Sequence, residues 1–324
     1  MPADRNLFGT SWISLFVRVR SEWCGAQWRP GRTTETSEVR ATTKFKSMLG
    51  GGTIVVAPGA FDGLSARLVV QAGFPAVYAS GGAIARSTGV PDIGLITPDE
   101  IVQRLAEMVE AVGVPVIADA DTGYGNALTA QRAARAFERA GVAAFHLEDQ
   151  TFPKKCGHYD DKALVPTAEM VHRLHAVRDA LHDPDFVVIG RTDAIAVEGY
   201  TAALDRAAAY LEAGADVIFV EAPTSEEQIA DIAQRLPGYK LINMFHGGKT
   251  PLLPASRLQE LGYHVVIIPS DTQRAAIKAM QRVLAAIARD GSAAAMIDDM
   301  ASFKEREAVI DTAAFLARDE RYSS

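Results

Sequence analysis

The sequence predicts an α/β fold, a (β/α)8 TIM barrel. Three observations lead there. Short apolar runs alternate with amphipathic helical patterns eight times between residues 54 and 288, which is the span of one barrel of this kind. Ala72-Gly73, Ala140-Gly141, Ala213-Gly214 and Leu261-Gly262 each close a helical pattern just ahead of an apolar run, as a C-terminal glycine cap does. Polar residues follow directly after the apolar runs, at the strand ends where barrel enzymes carry their chemistry. The competing architecture is an open doubly wound sheet. It requires a Gly-rich phosphate loop after an early strand, and the chain contains no G-x-G-x-x-G.

In chain order, continuous apolar runs read as buried parallel strands at Ile54–Ala57, Ala76–Ser80, Val114–Ala118, Ala143–Leu147, Phe186–Gly190, Val217–Val220, Lys240–Asn243 and Val265–Ile268. Helical periodicity fits Gly63–Ala72, Pro98–Val112, Ala127–Ala140, Thr167–Leu181, Thr201–Ala213, Ser225–Arg235, Pro254–Leu261 and Thr272–Ala288. The barrel domain is therefore placed at residues 46–291. Residues 1–45 hold all three tryptophans, Trp12, Trp23 and Trp28, among many Arg, Ser and Thr without a clear period. They are read as a poorly ordered extension, with Met48 as an alternative start. Residues 292–324 carry further helical patterns at Ala295–Phe303 and Glu305–Leu316.

Composition narrows the function. Of 324 residues, 48% are hydrophobic and 23% charged, and the net charge is −7. No dense basic patch is present, which argues against nucleic acid as a partner. No apolar run is long enough to span a bilayer. Cys24 and Cys156, the two cysteines, form no disulfide framework, so a reducing, cytoplasmic setting is expected.

The stretch Ala118-Asp119-Ala120-Asp121-Thr122-Gly123-Tyr124-Gly125-Asn126 draws attention first. Residues two apart in a strand face one side, so Asp119 and Asp121 converge if the strand continues through them. Converging carboxylates repel unless a cation or a proton separates them. One helix-capping Asp and one solvated loop Asp is the plain alternative. The other rim positions favour convergence: Ser80-Gly81-Gly82, Glu148-Asp149-Gln150, Arg191-Thr192-Asp193, Glu221, and Asn243 with His246. Two βα loops are long. One holds Pro91-Asp92, the other Pro153-Lys154-Lys155-Cys156-Gly157-His158; long loops of a barrel carry lids or binding residues. Lys154, Lys155 and His158 around Cys156 favour its thiolate. A small buried hydrophobe is the plain reading of Cys156. Zinc is disfavoured, since a second Cys/His pair at metal spacing is missing.

These residues resemble the isocitrate lyase/phosphoenolpyruvate mutase superfamily. Lys154–His158 looks like the K-[KR]-C-G-H signature of its lyase branch. Ser80–Gly82, Asp119–Gly125, Leu147–Gln150, Arg191–Asp193 and Asn243 align with further family blocks, over about residues 50–305. Pro153, Asn126, and Asn243-Met244 followed by Gly247-Gly248-Lys249-Thr250-Pro251 look most similar to the dimethylmalate lyase and petal-death-protein group. Methylisocitrate lyase is similar too, less so in these loops.

The resemblance implies a Mg²⁺-dependent carbon–carbon lyase, with Mn²⁺ as a substitute. Its substrate would be a small di- or tricarboxylate, a substituted malate such as 2,3-dimethylmalate or methylisocitrate, split to pyruvate or glyoxylate and a carboxylic acid. It implies metal residues Asp119, Asp121 and Glu148. It implies substrate contacts from Tyr78, Ser80, Gly81, Gly82, Asp92, Gly157 and Asn243. Catalytic roles fall to Cys156, Lys154, His158, Arg191 and Glu221, with Cys156 donating the proton to the departing carbanion. It also implies a homotetramer, a dimer of dimers with C-terminal helices swapped between subunits. An oxaloacetate hydrolase and a carboxyvinyl-carboxyphosphonate phosphorylmutase are the alternatives; the mutase branch lacks the cysteine. In one departure, His246 stands where relatives commonly carry Glu.

Overall fold

A computed structural model describes residues 39–155 and 162–323 of the chain. Among these residues eight parallel strands close into a barrel in sequential order: β1 (Val55–Ala60), β2 (Val77–Ala79), β3 (Val116–Asp119), β4 (Ala144–Glu148), β5 (Val187–Thr192), β6 (Val217–Val220), β7 (Tyr239–Asn243) and β8 (Val265–Ile268). The closing seam pairs Val55 with Val265 and Pro58 with Ile268. The helices are α1 (Ala41–Leu49), α2 (Gly63–Gln71), α3 (Gly81–Ser87), α4 (Pro98–Ala111), α5 (Ala127–Ala140), α6 (Thr167–Ala180), α7 (Tyr200–Glu212), α8 (Glu226–Arg235), α9 (Ala255–Leu261), α10 (Asp271–Asp290), α11 (Phe303–Ile310) and α12 (Thr312–Ser323). None of them is long and apolar enough to cross a membrane. The expected strands and connecting helices are present with their ends moved by a few residues. Gly141 and Gly262 end α5 and α9 in the left-handed conformation, where a side chain would be strained.

Two apolar layers hold the barrel. The outer one lies between strands and helices and includes Phe137, Phe145, Leu174, Tyr210 and Ile229. The inner one fills the barrel with Val55, Ile117, Val187, Ile189, Phe219, Leu241 and Ile267. Phe45 and Leu49 of α1 join this inner layer, so α1 packs beneath the strand starts. Thr42 and Thr43 donate to Asp183 and Asp185 at 2.7 and 2.6 Å and tie α1 to the approach to β5. The boundary placed at residue 45 therefore cuts through a helix that belongs with the barrel. Its short, mixed sequence, ATTKFKSML, carries only a few apolar residues and gives little periodicity to read. Residues 1–38 lie outside the described residues.

Two further elements differ from expectation. The loop after β2 contains α3, a helix of seven residues capped by Ser80 Oγ on the Ala83 amide. The C-terminal pattern is broken: a 3₁₀ turn covers Ala294–Asp299, and Asp311 adopts a left-handed φ of 56° between α11 and α12. A left-handed residue cannot continue a right-handed helix.

Candidate active site

The C-terminal ends of the strands open onto a cavity of about 210 Å³. Tyr78, Ser80, Gly82, Asp92, Asp119, Lys154, Arg191, Glu221 and Asn243 line it, so most residues singled out from the sequence meet in one place. Asp121, Glu148 and Gly81 stand directly behind this wall, in contact with Lys154, Arg191 and Asp119 respectively. Cys156, Gly157 and His158 lie outside the described residues. His246 does not line the cavity. It is exposed beside a shallower depression with Asp271 and Lys278, and its carbonyl accepts from Arg274 at 2.6 Å.

Asp119 ends β3, and its Oδ1 accepts the Asp121 amide at 3.0 Å. Strand alternation does not bring Asp121 beside it. The strand stops at Asp119, and Asp121 sits at a φ of +46°. The turn thus aims Asp121 at Lys154, whose Nζ lies 2.7 Å from Asp121 and 2.5 Å from Asp92. Non-glycine residues in this region carry strain of order 1–3 kcal/mol. Ala222, next to Glu221, is strained in the same way at +61°. Both lie beside cavity-lining residues, and strain of this kind clusters at functional sites.

Gly81 and Gly82 let this acidic wall form. A Cβ on Gly81 would lie 2.7 Å from Asp119 Oδ2, and one on Gly82 would lie 2.7 Å from Asp92 Oδ2. Bare backbone at these two positions is therefore a packing requirement of the carboxylates.

Burial pushes the Asp121 carboxyl up to about 7, with Asp119 and Asp92 reinforcing and Lys154 opposing. Burial likewise raises Glu148 well above the usual carboxylate range, against the pull of Arg191. Burial acts on Asp119 too, but nearby positive charge outweighs it and holds this carboxyl low. His146 is not part of that charge near neutrality, because burial drives its imidazole down to about 4. Lys154, Arg191 and the Asp121 amide also pull the Asp119 carboxyl down. His146 was not picked out from the sequence. It sits inside the apolar run of β4, fully buried, with Nε2 2.8 Å from Tyr78 Oη.

Arg191 bridges two carboxylates: Glu148 at 3.1 Å, and Asp193 by two contacts at 2.9 and 3.2 Å. Asn243 donates to Glu221 at 3.4 Å. Four carboxylates, Asp92, Asp119, Asp121 and Glu148, thus face Lys154 and Arg191. Glu148 Oε1 is buried with no hydrogen-bond partner among the described residues. The donors are all hard oxygens, which suits a divalent cation such as Mg²⁺. Among the described residues, no three His, Cys, Asp or Glu side chains stand close enough to share one ion directly. Mg²⁺ tolerates this, since it keeps several waters and takes one or two direct carboxylates.

A closed parallel barrel with a charged cavity at its strand C-terminal ends defines a barrel enzyme. Residues 45–288 match the family model described as phosphoenolpyruvate phosphomutase. The chain belongs to the phosphoenolpyruvate mutase/isocitrate lyase superfamily. It is 45% identical over 268 residues to 2,3-dimethylmalate lyase of Eubacterium barkeri, covering 82% of this chain and 93% of that one. It is 42% identical over 271 residues to 2-methylisocitrate lyase of Bacillus subtilis, covering 84% and 89%. A crystal structure of 2,3-dimethylmalate lyase superposes with a TM-score of 0.84 at 36% identity, over 88% of this chain and 96% of that one. A structure of phosphonopyruvate hydrolase with oxalate and Mg²⁺ superposes with a TM-score of 0.80 at 30% identity, over 88% and 100%. The chain is a carbon–carbon lyase of this superfamily.

Proposed function

We propose that the chain is a Mg²⁺-dependent lyase that cleaves the C2–C3 bond of a 2-hydroxy acid bearing two or three carboxylates. The products are an α-oxo acid and a second carboxylic acid. The observation that carries this reading is the acidic cluster of half-buried Asp92 with buried Asp119, Asp121 and Glu148, whose ion-pair partners among the described residues are Lys154 and Arg191. Asp119, Asp121 and Glu148 would hold the metal, some of them through water. When bound, Mg²⁺ supplies Lewis-acid stabilisation of the charge that develops on the α-oxo acid.

The chain's own residues supply the rest. Gly81 and Gly82 at the start of α3 offer backbone amides to a substrate carboxylate, the Ser80 amide being bound to the Ala60 carbonyl at 3.1 Å, and Arg191 grips that carboxylate with a planar guanidinium that Asp193 and Glu148 hold in place. Tyr78 and Asn243 complete the pocket, with Glu221 fixed by Asn243. A base of the site takes the C2 hydroxyl proton, the oxygen's electrons form the C2=O bond of the α-oxo acid, the C2–C3 bond breaks, and its bonding pair passes to C3 as the aci-form of the leaving carboxylate. Cys156 protonates that carbon. Lys154 and His158 would set its acidity, a reading that rests on their place beside it in the sequence. The assembly would be a homotetramer in which the C-terminal helices pack on neighbouring subunits.

The test is a panel of substituted malates and methylisocitrate, assayed for pyruvate or glyoxylate release after exhaustive chelation and again after added Mg²⁺ or Mn²⁺. Activity should vanish with EDTA and return with either ion. Full turnover in the chelated enzyme refutes the metal reading, and loss of oxaloacetate without cleavage of any hydroxy acid refutes the lyase reading.

A further inference from the structure

The cavity has a second end that the acidic wall does not use. Beyond Gly82 it is lined by Arg86 of α3 and by Ser270, Gln273 and Arg274 around the start of α10. Gly82 marks the divide, since a Cβ there would lie 2.7 Å from Asp92 Oδ2 on one side and 3.3 Å from Arg86 Nη1 on the other. Arg86 is therefore within a small molecule's length of the acidic wall.

Two side chains at this end are arranged for a ligand. Ser270 stands at the N-cap position of α10, yet it makes no capping hydrogen bond. Its Oγ is buried without a partner among the described residues, and the residue is only 4% exposed. Arg86 is held at Nε by Gln273 Oε1 at 2.9 Å, and Gln273, itself buried, is fixed in turn by donating to the Ala83 carbonyl at 2.8 Å. Among the described residues Arg86 makes no ion pair; the residue is exposed, and its guanidinium lines the cavity with Asp92 across Gly82. Phe245, Ile267 and Ile277 also line the cavity and would accommodate an alkyl arm. An alkyl arm, however, leaves the buried Ser270 hydroxyl unsatisfied, which is unfavourable, and makes no use of the guanidinium.

We propose that Ser270 and Arg86, the latter positioned by Gln273, form a subsite for a carboxylate carried on the C3 substituent. The substrate of the proposed lyase is then a tricarboxylate 2-hydroxy acid, not an alkyl-substituted malate. This inference rests on the C2–C3 cleavage proposed above. Cleavage of 2-methylisocitrate yields pyruvate and succinate, whereas cleavage of 2,3-dimethylmalate yields pyruvate and propionate. The two substrates differ at C3 by CH₂COO⁻ against CH₃, which is the group the subsite would read.

The experiment measures kcat/KM for both compounds by pyruvate release. The wild-type enzyme should favour the tricarboxylate. In Arg86→Ala the tricarboxylate-to-dicarboxylate ratio should fall by about 10- to 100-fold, the loss expected for one charge-assisted hydrogen bond, and Arg86→Lys should recover part of it. Ser270→Ala should lower the ratio by a smaller factor, about 3- to 10-fold. Gln273→Leu should raise KM for the tricarboxylate while keeping its kcat, which a merely structural role would not do. A wild-type preference for dimethylmalate, or an unchanged ratio in Arg86→Ala, overturns the subsite while the lyase reading stands. If neither compound is cleaved, the lyase reading fails and calorimetry decides on the subsite. Succinate binding more tightly than propionate, with the difference lost in Arg86→Ala, supports it, and equal binding overturns it.

Discussion

Gly81→Ala is the sharpest probe of the acidic wall. The added Cβ would lie 2.7 Å from Asp119 Oδ2, 3.0 Å from its Cγ and 3.2 Å from its Cβ. Ordinary contact begins near 3.4 Å, so the carboxylate must retreat by about 0.7 Å, the difference between 3.4 and 2.7 Å. Asp119 has little room to do so. It is 7% exposed, its Oδ1 holds the Asp121 amide at 3.0 Å, and its Oδ2 faces Tyr78 Oη at 3.4 Å. Gly81 lies in α3 and its φ is not in the left-handed region, so alanine meets no backbone strain and gains a few tenths of a kcal/mol of helix propensity. The clash should cost about 1–3 kcal/mol of stability, leaving a folded enzyme. A misplacement of roughly 1 Å at a catalytic group costs about 10²-fold in rate. Turnover should fall by about 50- to 100-fold, and Mg²⁺ should be needed at higher concentration for half-maximal activity. Steady-state release of the α-oxo acid across a Mg²⁺ titration reads both effects, with circular dichroism confirming the fold. Wild-type turnover and an unchanged Mg²⁺ requirement would refute the placement of Asp119 against Gly81.

Three further predictions address the acid, the scaffold and the assembly. Cys156→Ser should lose about 10²–10⁴-fold in turnover, the usual contribution of a general acid, with substrate affinity kept; turnover within a few-fold of wild type rules Cys156 out as the acid. Glu138 Oε1 accepts the His182 and Asp183 amides, both at 2.8 Å; these outweigh burial and hold its carboxyl below 4.5. Its contribution is therefore present in full above 4.5 and is lost as pH falls through the lowered folded value. Glu138→Ala should cost about 1–2 kcal/mol near pH 7 and less near pH 3, and a denaturation difference that ignores pH contradicts this. Met280, Leu284, Phe315 and Leu316 on α10 and α12 are 53–63% exposed in the single chain, and light scattering should find the tetramer that covers them; a monodisperse monomer at micromolar concentration would count against it.

The barrel was legible because its signal is redundant. Strands such as Val217–Val220 and Val265–Ile268 are apolar runs, buried along all or most of their length, and several connecting helices carry a clear cap, such as Thr97 of α4, Asn126 of α5 and Ser225 of α8. Elements without that redundancy escaped. Helix α1 depends on Phe45 and Leu49 meeting strand starts far along the chain, and α3 is too short to show a period. The break at Asp311 follows from one residue's φ, which composition does not reveal. In the site, the carboxylates were readable because a barrel places strand-end residues on one rim. The reason given for Asp119 and Asp121 was wrong in detail, since a left-handed turn and Lys154 orient Asp121, and strand alternation does not. Arg86, Ser270 and Gln273 left no local signal. They meet only because β8 closes on β1, which brings Gln273 to Arg86 across 187 positions of sequence.

Behind the rim, one buried hub connects the strand ends to the long loop that follows β4. Asp149 Oδ2 accepts from Thr192 Oγ1 at 2.6 Å and from Tyr210 Oη at 2.8 Å, while its Oδ1 accepts the Asp193 amide at 2.9 Å. Asp193 then holds Arg191 on one side and Lys162 Nζ, at 2.7 Å, on the other. Gln150, adjacent in sequence, clamps the backbone of Lys155 through both its amide nitrogen and its oxygen, at 2.9 and 3.0 Å. Lys155 and Lys162 flank residues 156–161, so the two described ends of that segment are anchored on residues just past the neighbouring strands β4 and β5. The guanidinium proposed to grip the substrate shares its anchor, Asp193, with one of those ends. A buried ion-pair network of this kind adds little net stability for its desolvation cost. Its effect here is geometric. It fixes Arg191, Lys155 and Lys162 relative to one another, so a substitution at Asp149 or Asp193 should disturb the charged rim and the anchoring of Lys155 and Lys162 together.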